Sequence, residues 1–400
     1  MLGNGCDVIR GGWIPAPFWR YLLTMVDATH NTAQSPRCDV AIFFDGELLQ
    51  RFRPIIRHLS VGLIDLVGRV QLVSPDREIE RLALGPVTTL TYTPPNRFNR
   101  RRAADRLIER MSTTPPTVMH AISAGGFEFA AQAAAAFDAD LAYQVSALDD
   151  IDALATVDAA ARFAVVCSSQ PLLDRYRELN LPGEHETRII RPGVSCRDTP
   201  TCFVDESRDP TLISTSALVE SEGVHALIEA TRLLADRGHR FLLFLLGAGP
   251  MERSLRRTVH RLELDSIVVF AQPSGDVLEA MVGADIFIHP ACGKTISARS
   301  IQALGQGAAV VSVRGGVLDA LIADRTAILC DTGTPRDLAA AIERLLLDHE
   351  LARRLARGAI DHMREKHSMS RMAELTAELY QDMLMQHATF RMQRDHTRTT

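Results

Sequence analysis

From Cys38 onward, short runs of β-branched and aromatic residues alternate with longer stretches whose apolar positions recur at helical spacing. Fully apolar strands followed by amphipathic helices are the pattern of α/β units on buried parallel sheets. In the first half this predicts strands at Val40–Phe44, Val70–Val73, Thr88–Tyr92, Val118–Ile122, Leu141–Val145 and Ala164–Cys167, with a short seventh at Arg188–Ile190. Helices at Arg53–Val67 and Phe127–Phe137 fall between them. The stretch 200–210 is polar, with Asp205, Glu206, Ser207 and Asp209 ahead of Pro210, and reads as a linker. Beyond it the alternation restarts. Strands are expected at Leu212–Ser214, Phe241–Leu246, Ile267–Phe270, Ile286–His289, Ala309–Val313 and Ile328–Cys330. Helices are expected at Val224–Arg237, Met251–Leu262, Asp276–Val282, Ser297–Leu304, Leu318–Ile322 and Pro335–Leu346.

Two doubly wound units therefore follow one another, which suits a chain of 400 residues, longer than one core usually spans. The expected division is an N-terminal extension (1–37), a first Rossmann-like domain (38–199), the linker (200–210) and a second such domain (211–370). A C-terminal helix (371–387) and a loose polar tail (388–400) complete it. The apolar stretch Trp13–Val26 is broken by Pro15, Pro17 and Arg20, so it reads as an extension, not a signal peptide.

Composition narrows the function classes. A formal net charge of −5 excludes a bulk electrostatic grip on nucleic acid. Seven cysteines without a Cys-x-x-Cys pair read as reduced thiols, and a cytoplasmic setting is expected. No apolar run has the length of a spanning helix. No Walker loop, zinc spacing or Ser-His-Asp order is present, and no metal is expected.

Three loops at carboxyl ends of strands can meet an anion. Gly247 and Gly249 lie between a buried strand and a helix, where glycine serves either a plain turn or close approach to a ligand. Lys294, Thr295 and Ser297 precede the helix Ser297–Leu304, and Thr295 or Ser297 is the expected N-cap. Arg314, Gly315 and Gly316 follow Ala309–Val313, again as a turn or as a ligand contact. Arg97, Arg100, Arg101, Arg102, Arg106 and Arg110 form a basic run that suits a solvated helix start or an anionic lipid surface. The pairs Asp138/Asp140 and Asp150/Asp152 look like metal-binding spacings but read as chance in an acidic stretch. His120 and His289 lie at strand ends and suit either the core or the cleft.

Several stretches together resemble GT-B glycosyltransferases of the retaining glycosyltransferase family 4 type. They are Ser216–Ala230, Leu246–Pro250, Ala284–Pro290, Gln302–Val311, Gly315–Gly316 and Asp337–Asp348, with Val166–Ser169 and Arg191–Val194 in the first half. The resemblance implies two Rossmann-like domains facing an interdomain cleft, with the C-terminal helix packed back on the first. It also implies a nucleotide-diphosphate sugar donor, no further cofactor, and transfer with retention to a glycan, lipid or small-molecule acceptor. Peripheral contact with the inner membrane surface through Arg97–Arg110 is a further expectation.

The family's donor-site positions are substituted. Relatives carry Arg and, five residues on, Lys where this chain has Ala217 and Glu222. Their two Glu correspond to Lys294 and Gln302, and their histidine after a middle strand corresponds to Ser146. The acidic position after Gly-Gly is kept as Asp319, which joins Lys294 as a catalytic candidate. Two readings stand: an active glycosyltransferase with a rearranged donor site, or a non-catalytic paralogue acting as a binding or partner subunit. An ion pair between Lys294 and Glu222 would favour the second.

Overall fold

The structure is a computed structural model that describes residues 38–93, 100–154, 163–180, 186–271 and 281–399. The expected extension 1–37, Arg97, the side chain of Arg100 and most of the expected helix Asp276–Val282 lie outside the described residues.

The first half runs β1 (Asp39–Phe43), α1 (Gly46–Leu63), β2 (Arg69–Ser74), β3 (Thr88–Thr91), α2 (Arg100–Met111), β4 (Val118–Ala121) and α3 (Ala124–Phe137). It continues with β5 (Asp140–Val145), α4 (Leu148–Leu154), β6 (Ala164–Cys167), α5 (Gln170–Glu178) and β7 (Thr187–Ile189). The second half comprises β8 (Thr211–Ser214), α6 (Val224–Asp236), β9 (Leu242–Leu245), α7 (Glu252–Arg261), β10 (Val268–Phe270) and β11 (Ile286–His289). After these come α8 (Ala298–Gln306), β12 (Ala309–Val313), β13 (Ile328–Cys330), α9 (Pro335–Leu347), α10 (His349–Lys366) and α11 (Met369–Thr399).

The strands form two parallel sheets, ordered β3-β2-β1-β4-β5-β6-β7 and β10-β9-β8-β11-β12-β13. Both are doubly wound. Strand order reverses between β1 and β4 in one sheet and between β8 and β11 in the other, and ligand crevices open at such switch points. Strands such as β1, β4, β6 and β12 are buried along almost their whole length, because helices cover both sheet faces.

Asp285, just before β11, pins the linker to the second sheet. Its carboxylate is 1% exposed and accepts from Phe203 N (2.6 Å), Thr211 N (2.8 Å) and the Arg208 guanidinium (2.7 Å). A buried carboxylate persists only with such a full set of donors.

Three expectations need correction. Leu318–Ile322 is a turn, held by the Thr326 hydroxyl, which accepts from Ile322 N and donates to Ala320 O. The helical pattern does not stop at Leu346. Asp348 caps α10 by accepting from Leu351 N (2.8 Å), and apolar Leu351, Leu355, Ala359 and Met363 face inward. Its internal Gly358 is needed because a Cβ there would overlap the Arg325 carbonyl oxygen. Finally, the helix expected over 371–387 is longer: α11 runs Met369–Thr399.

α11 returns to the first sheet. Tyr380 meets His120 of β4, Asp382 pairs with Arg188 of β7, and His387 Nδ1 lies 2.8 Å from the carboxylate of Asp140. Where the chain crosses between halves, the two crossings bond to each other. Val194 N donates to His367 O, and the His367 ring donates from Nδ1 to Pro192 O, both at 2.9 Å.

Candidate functional site

The loop after β11 carries the expected donor-side residues. Ser297 is the N-cap of α8, its hydroxyl accepting from Ser300 N at 3.1 Å. Thr295 is not the cap but forms an antiparallel bridge with Ala147 of the other half. On either side of that bridge Leu148 N donates to Lys294 O (3.0 Å) and Ile296 N to Ser146 O (2.8 Å). The two halves are thus joined by backbone bonds where Lys294 and Ser146 meet. The Lys294 side chain is exposed and makes no ion pair among the described residues. Gln302 lies one turn inside α8, 3% exposed, and accepts from Arg299 at 3.1 Å.

Glu222 does not pair with Lys294. His289, the last residue of β11, has its imidazole held below its ordinary range by burial, and the charge of Glu222 pulls in the opposite direction. Gly223 follows with φ +69°, and a Cβ there would strike the Pro290 carbonyl. The Glu222 turn therefore sits directly on the start of the Lys294 loop.

Gly247 and Gly249 are packed against the chain itself. Cβ atoms there would overlap the carbonyl oxygens of Ser216 and Leu218, and Leu218 N donates to Ala248 O at 3.0 Å. Both glycines serve the close approach of two loops, and Ala217 is exposed between these contacts.

Gly315 (φ +90°) and Gly316 bring a third loop onto the second, with Val317 N donating to Gly293 O at 3.0 Å. Arg314 points away to an exposed pair with Asp331 (3.1 Å). Asp319, at the end of this loop, reaches the first half. It accepts from the Arg191 guanidinium (2.7 Å) and from Gln170 N at the start of α5 (3.0 Å).

The opposing turn after β5 has its own scaffold. Asp150 Oδ2 accepts from Ser146 N and Ala147 N, both at 2.9 Å. Burial pushes its carboxyl up while these backbone donors pull it down. The Ser146 hydroxyl is 2.8 Å from that of Ser168, which Gln144 also approaches at 3.1 Å. At the switch point, Ser123 donates to Asp45 (2.7 Å), the N-cap of α1.

Along the sequence Asp150 reads as part of a chance acidic pair, Arg191 only as part of a resembling motif, and His289 as either core or cleft; none is assigned these roles. Asp150 had a legible signal, since it is the third residue of α4, where an acidic side chain reaches back to the cap N–H. The pairings of Arg191 and His289 had none. Asp138 and Asp140 are turned toward His387. No group of three metal-ligating side chains occurs among the described residues.

This arrangement has counterparts among known proteins. Residues 204–362 match the family of group 1 glycosyl transferases. Over 203 residues the chain is 32% identical to WcaL of Escherichia coli (strain K12), named as a colanic acid biosynthesis glycosyltransferase, covering 47% of this chain and 50% of that one. The chain thus spans about half the length of the curated relatives it matches. In fold it is similar to a glycosyltransferase from Rickettsia africae, with a TM-score of 0.71, 15% identity and coverage of 87% and 99% of the two chains. Anabaena HepE in complex with UDP and glucose gives the same TM-score at 16% identity, with coverage of 86% and 99%. The fold is GT-B: two Rossmann-like parallel sheets in one chain.

Proposed function

We propose that this protein transfers a sugar from a nucleotide-diphosphate donor to a glycan or lipid-linked acceptor, with retention. The observation that carries this reading is the loop from Lys294 to Ser297. It joins a capped helix N-terminus to an exposed lysine without an ion pair among the described residues, inside the stretch that matches group 1 glycosyl transferases. A helix N-terminus and an adjacent cation favour a diphosphate. The HepE structure, which holds UDP and glucose on the same fold, supports the donor class.

Lys294, Thr295, Ser297 and Arg299 offer donors rather than carboxylates, so they suit direct contact with phosphate oxygens and require no bridging metal. Stabilising charge on a departing diphosphate is worth several kcal/mol in a water-excluded site. Gly315 and Gly316 place backbone beside that loop. The first sheet's switch point, with Asp45, Ser123 and the Ser146 turn, is the acceptor side in this reading. The Lys294–Glu222 ion pair expected of a non-catalytic paralogue does not occur among the described residues.

The lipid-linked form of the acceptor draws on α2. Its apolar residues Ala103, Ala104, Leu107 and Met111 are buried, while Arg101, Arg102 and Arg106 are exposed on the opposite side. Such a face suits an anionic membrane surface.

The test is calorimetry and thermal shift against nucleoside diphosphates and their sugars. A true donor at a hundred times its Kd stabilises the fold by about 2.7 kcal/mol. Lys294→Ala should weaken binding about tenfold, the loss of one charge-assisted contact. A chain that binds no nucleotide diphosphate, in wild-type and Lys294→Ala forms alike, overturns the donor-site assignment.

A further inference from the structure

Asp319, at the end of the loop after β12, docks into the first half. Its carboxylate takes three donors there: Arg191 Nη2 at 2.7 Å, Arg191 Nε at 3.2 Å and Gln170 N at 3.0 Å. Gln170 opens α5, whose N-cap residue Ser169 makes no side-chain cap bond. The Ser169 hydroxyl is fully buried and has no partner among the described residues. The helix N-terminus is therefore answered by a carboxylate from the opposite half instead of its own cap.

The socket and the plug belong to different sheets. Arg191 follows β7 and Gln170 follows β6, whereas Asp319 ends the loop after β12. That loop is fastened to the Lys294 loop through Val317 N and Gly293 O, and the Lys294 loop is bonded to the Ser146–Leu148 turn. The two second-half loops are thus fastened to each other and touch the first half at Ser146–Leu148 and at Arg191 and Gln170. Of the two, only the second is a charge-assisted lock. Both side chains are mostly buried, with 26% of Arg191 and 17% of Asp319 exposed, so water screens the pair only in part.

We propose that Asp319 is a positioning residue that sets the closed register of the two halves, with Arg191 and the N-terminus of α5 as its socket. Resting on the glycosyltransferase reading above, this lock aligns the donor-side loop with the acceptor-side turn and does not touch the donor. It opens for exchange when the Arg191–Asp319 pair parts.

The experiment compares wild type with Asp319→Asn, Asp319→Glu and Arg191→Gln by small-angle scattering, calorimetry and turnover, each variant first checked for fold by circular dichroism. Loss of the lock should raise the radius of gyration of Asp319→Asn and Arg191→Gln. Their kcat should fall at least about tenfold, since small misplacements of reacting groups carry such costs, while nucleotide affinity stays within about twofold. Asp319→Glu should recover part of both. Added salt should expand the wild type but not Asp319→Asn. Scattering and kcat unchanged in Asp319→Asn and Arg191→Gln overturn the proposal, and so does loss of nucleotide binding with unchanged scattering, which would make Asp319 a ligand contact. If the wild type binds no nucleotide sugar, the function above fails while the scattering arms still decide the lock.

Discussion

The imidazole of His120 on β4 lies 2.7 Å through Nδ1 from the hydroxyl of Tyr380 on α11, with both side chains almost completely buried. This contact fastens the C-terminal helix to the middle of the first sheet. Burial lowers the His120 pKa to about 4, and burial lowers that of His367 at the crossing to about 4 as well.

Stability is therefore expected to fall on acidification. An unfolded histidine titrates near 6.5, so between about pH 6.5 and 4 the unfolded chain binds protons that the fold excludes. The stabilisation is fully present above that window and is lost as pH drops through it, by up to about 3 kcal/mol for each buried histidine. Urea unfolding at pH 7.5, 6 and 5 measures the slope, and His120→Gln should make it shallower. A wild-type stability that is flat across this window contradicts the assignment.

Asp285 makes a second expectation. Replacing it by Ala leaves Phe203 N, Thr211 N and Arg208 without their acceptor in a dry site. A loss of about 3 kcal/mol is expected, as for breaking one side of a buried ion pair. Thermal unfolding of Asp285→Ala and Asp285→Asn checks this, with Asn the milder because it keeps one carbonyl oxygen.

Gly249→Ala should disturb the loop pair 216–218 and 247–251, because its Cβ meets the Leu218 carbonyl backbone and not a yielding side chain. The expected cost is about 1–3 kcal/mol, as for other overpacked positions. Gly238→Ala is the control. Gly238, unlike Gly249, has positive φ, and no atom lies within 4 Å of an added Cβ, so backbone strain without a clash is measured there.

The exposed arginines of α2 predict that binding to anionic vesicles weakens as salt rises through the Debye range. Arg101→Ser, Arg102→Ser and Arg106→Ser combined should abolish co-sedimentation with such vesicles. Equal binding to neutral vesicles would remove this role from α2.

Much of the fold was legible along the chain. Val40–Phe44 is apolar at every position and Ala309–Val313 at all but Ser312, as suits strands covered on both faces, and their alternation with helical periods implied two parallel sheets. The periodicity of α10 was equally legible, yet Gly358 and the short break at Asp348 obscured it. Leu318–Ile322 has helical spacing but is a turn, because Thr326 captures its backbone groups.

The candidate site divided differently. A cap at Thr295 or Ser297 and glycine turns after the strands follow from local backbone needs, and the structure chose Ser297. Their partners did not follow. Asp319 meets Arg191 across 128 residues, His120 meets Tyr380 across 260, and Thr295 bridges to Ala147 of the other half. Periodicity and capping are short-range consequences of backbone geometry, whereas pairings between loops depend on how sheets order their strands and how the two halves dock. The sequence by itself determined the elements and the loops that end them; tertiary structure decided which charges those loops present to one another.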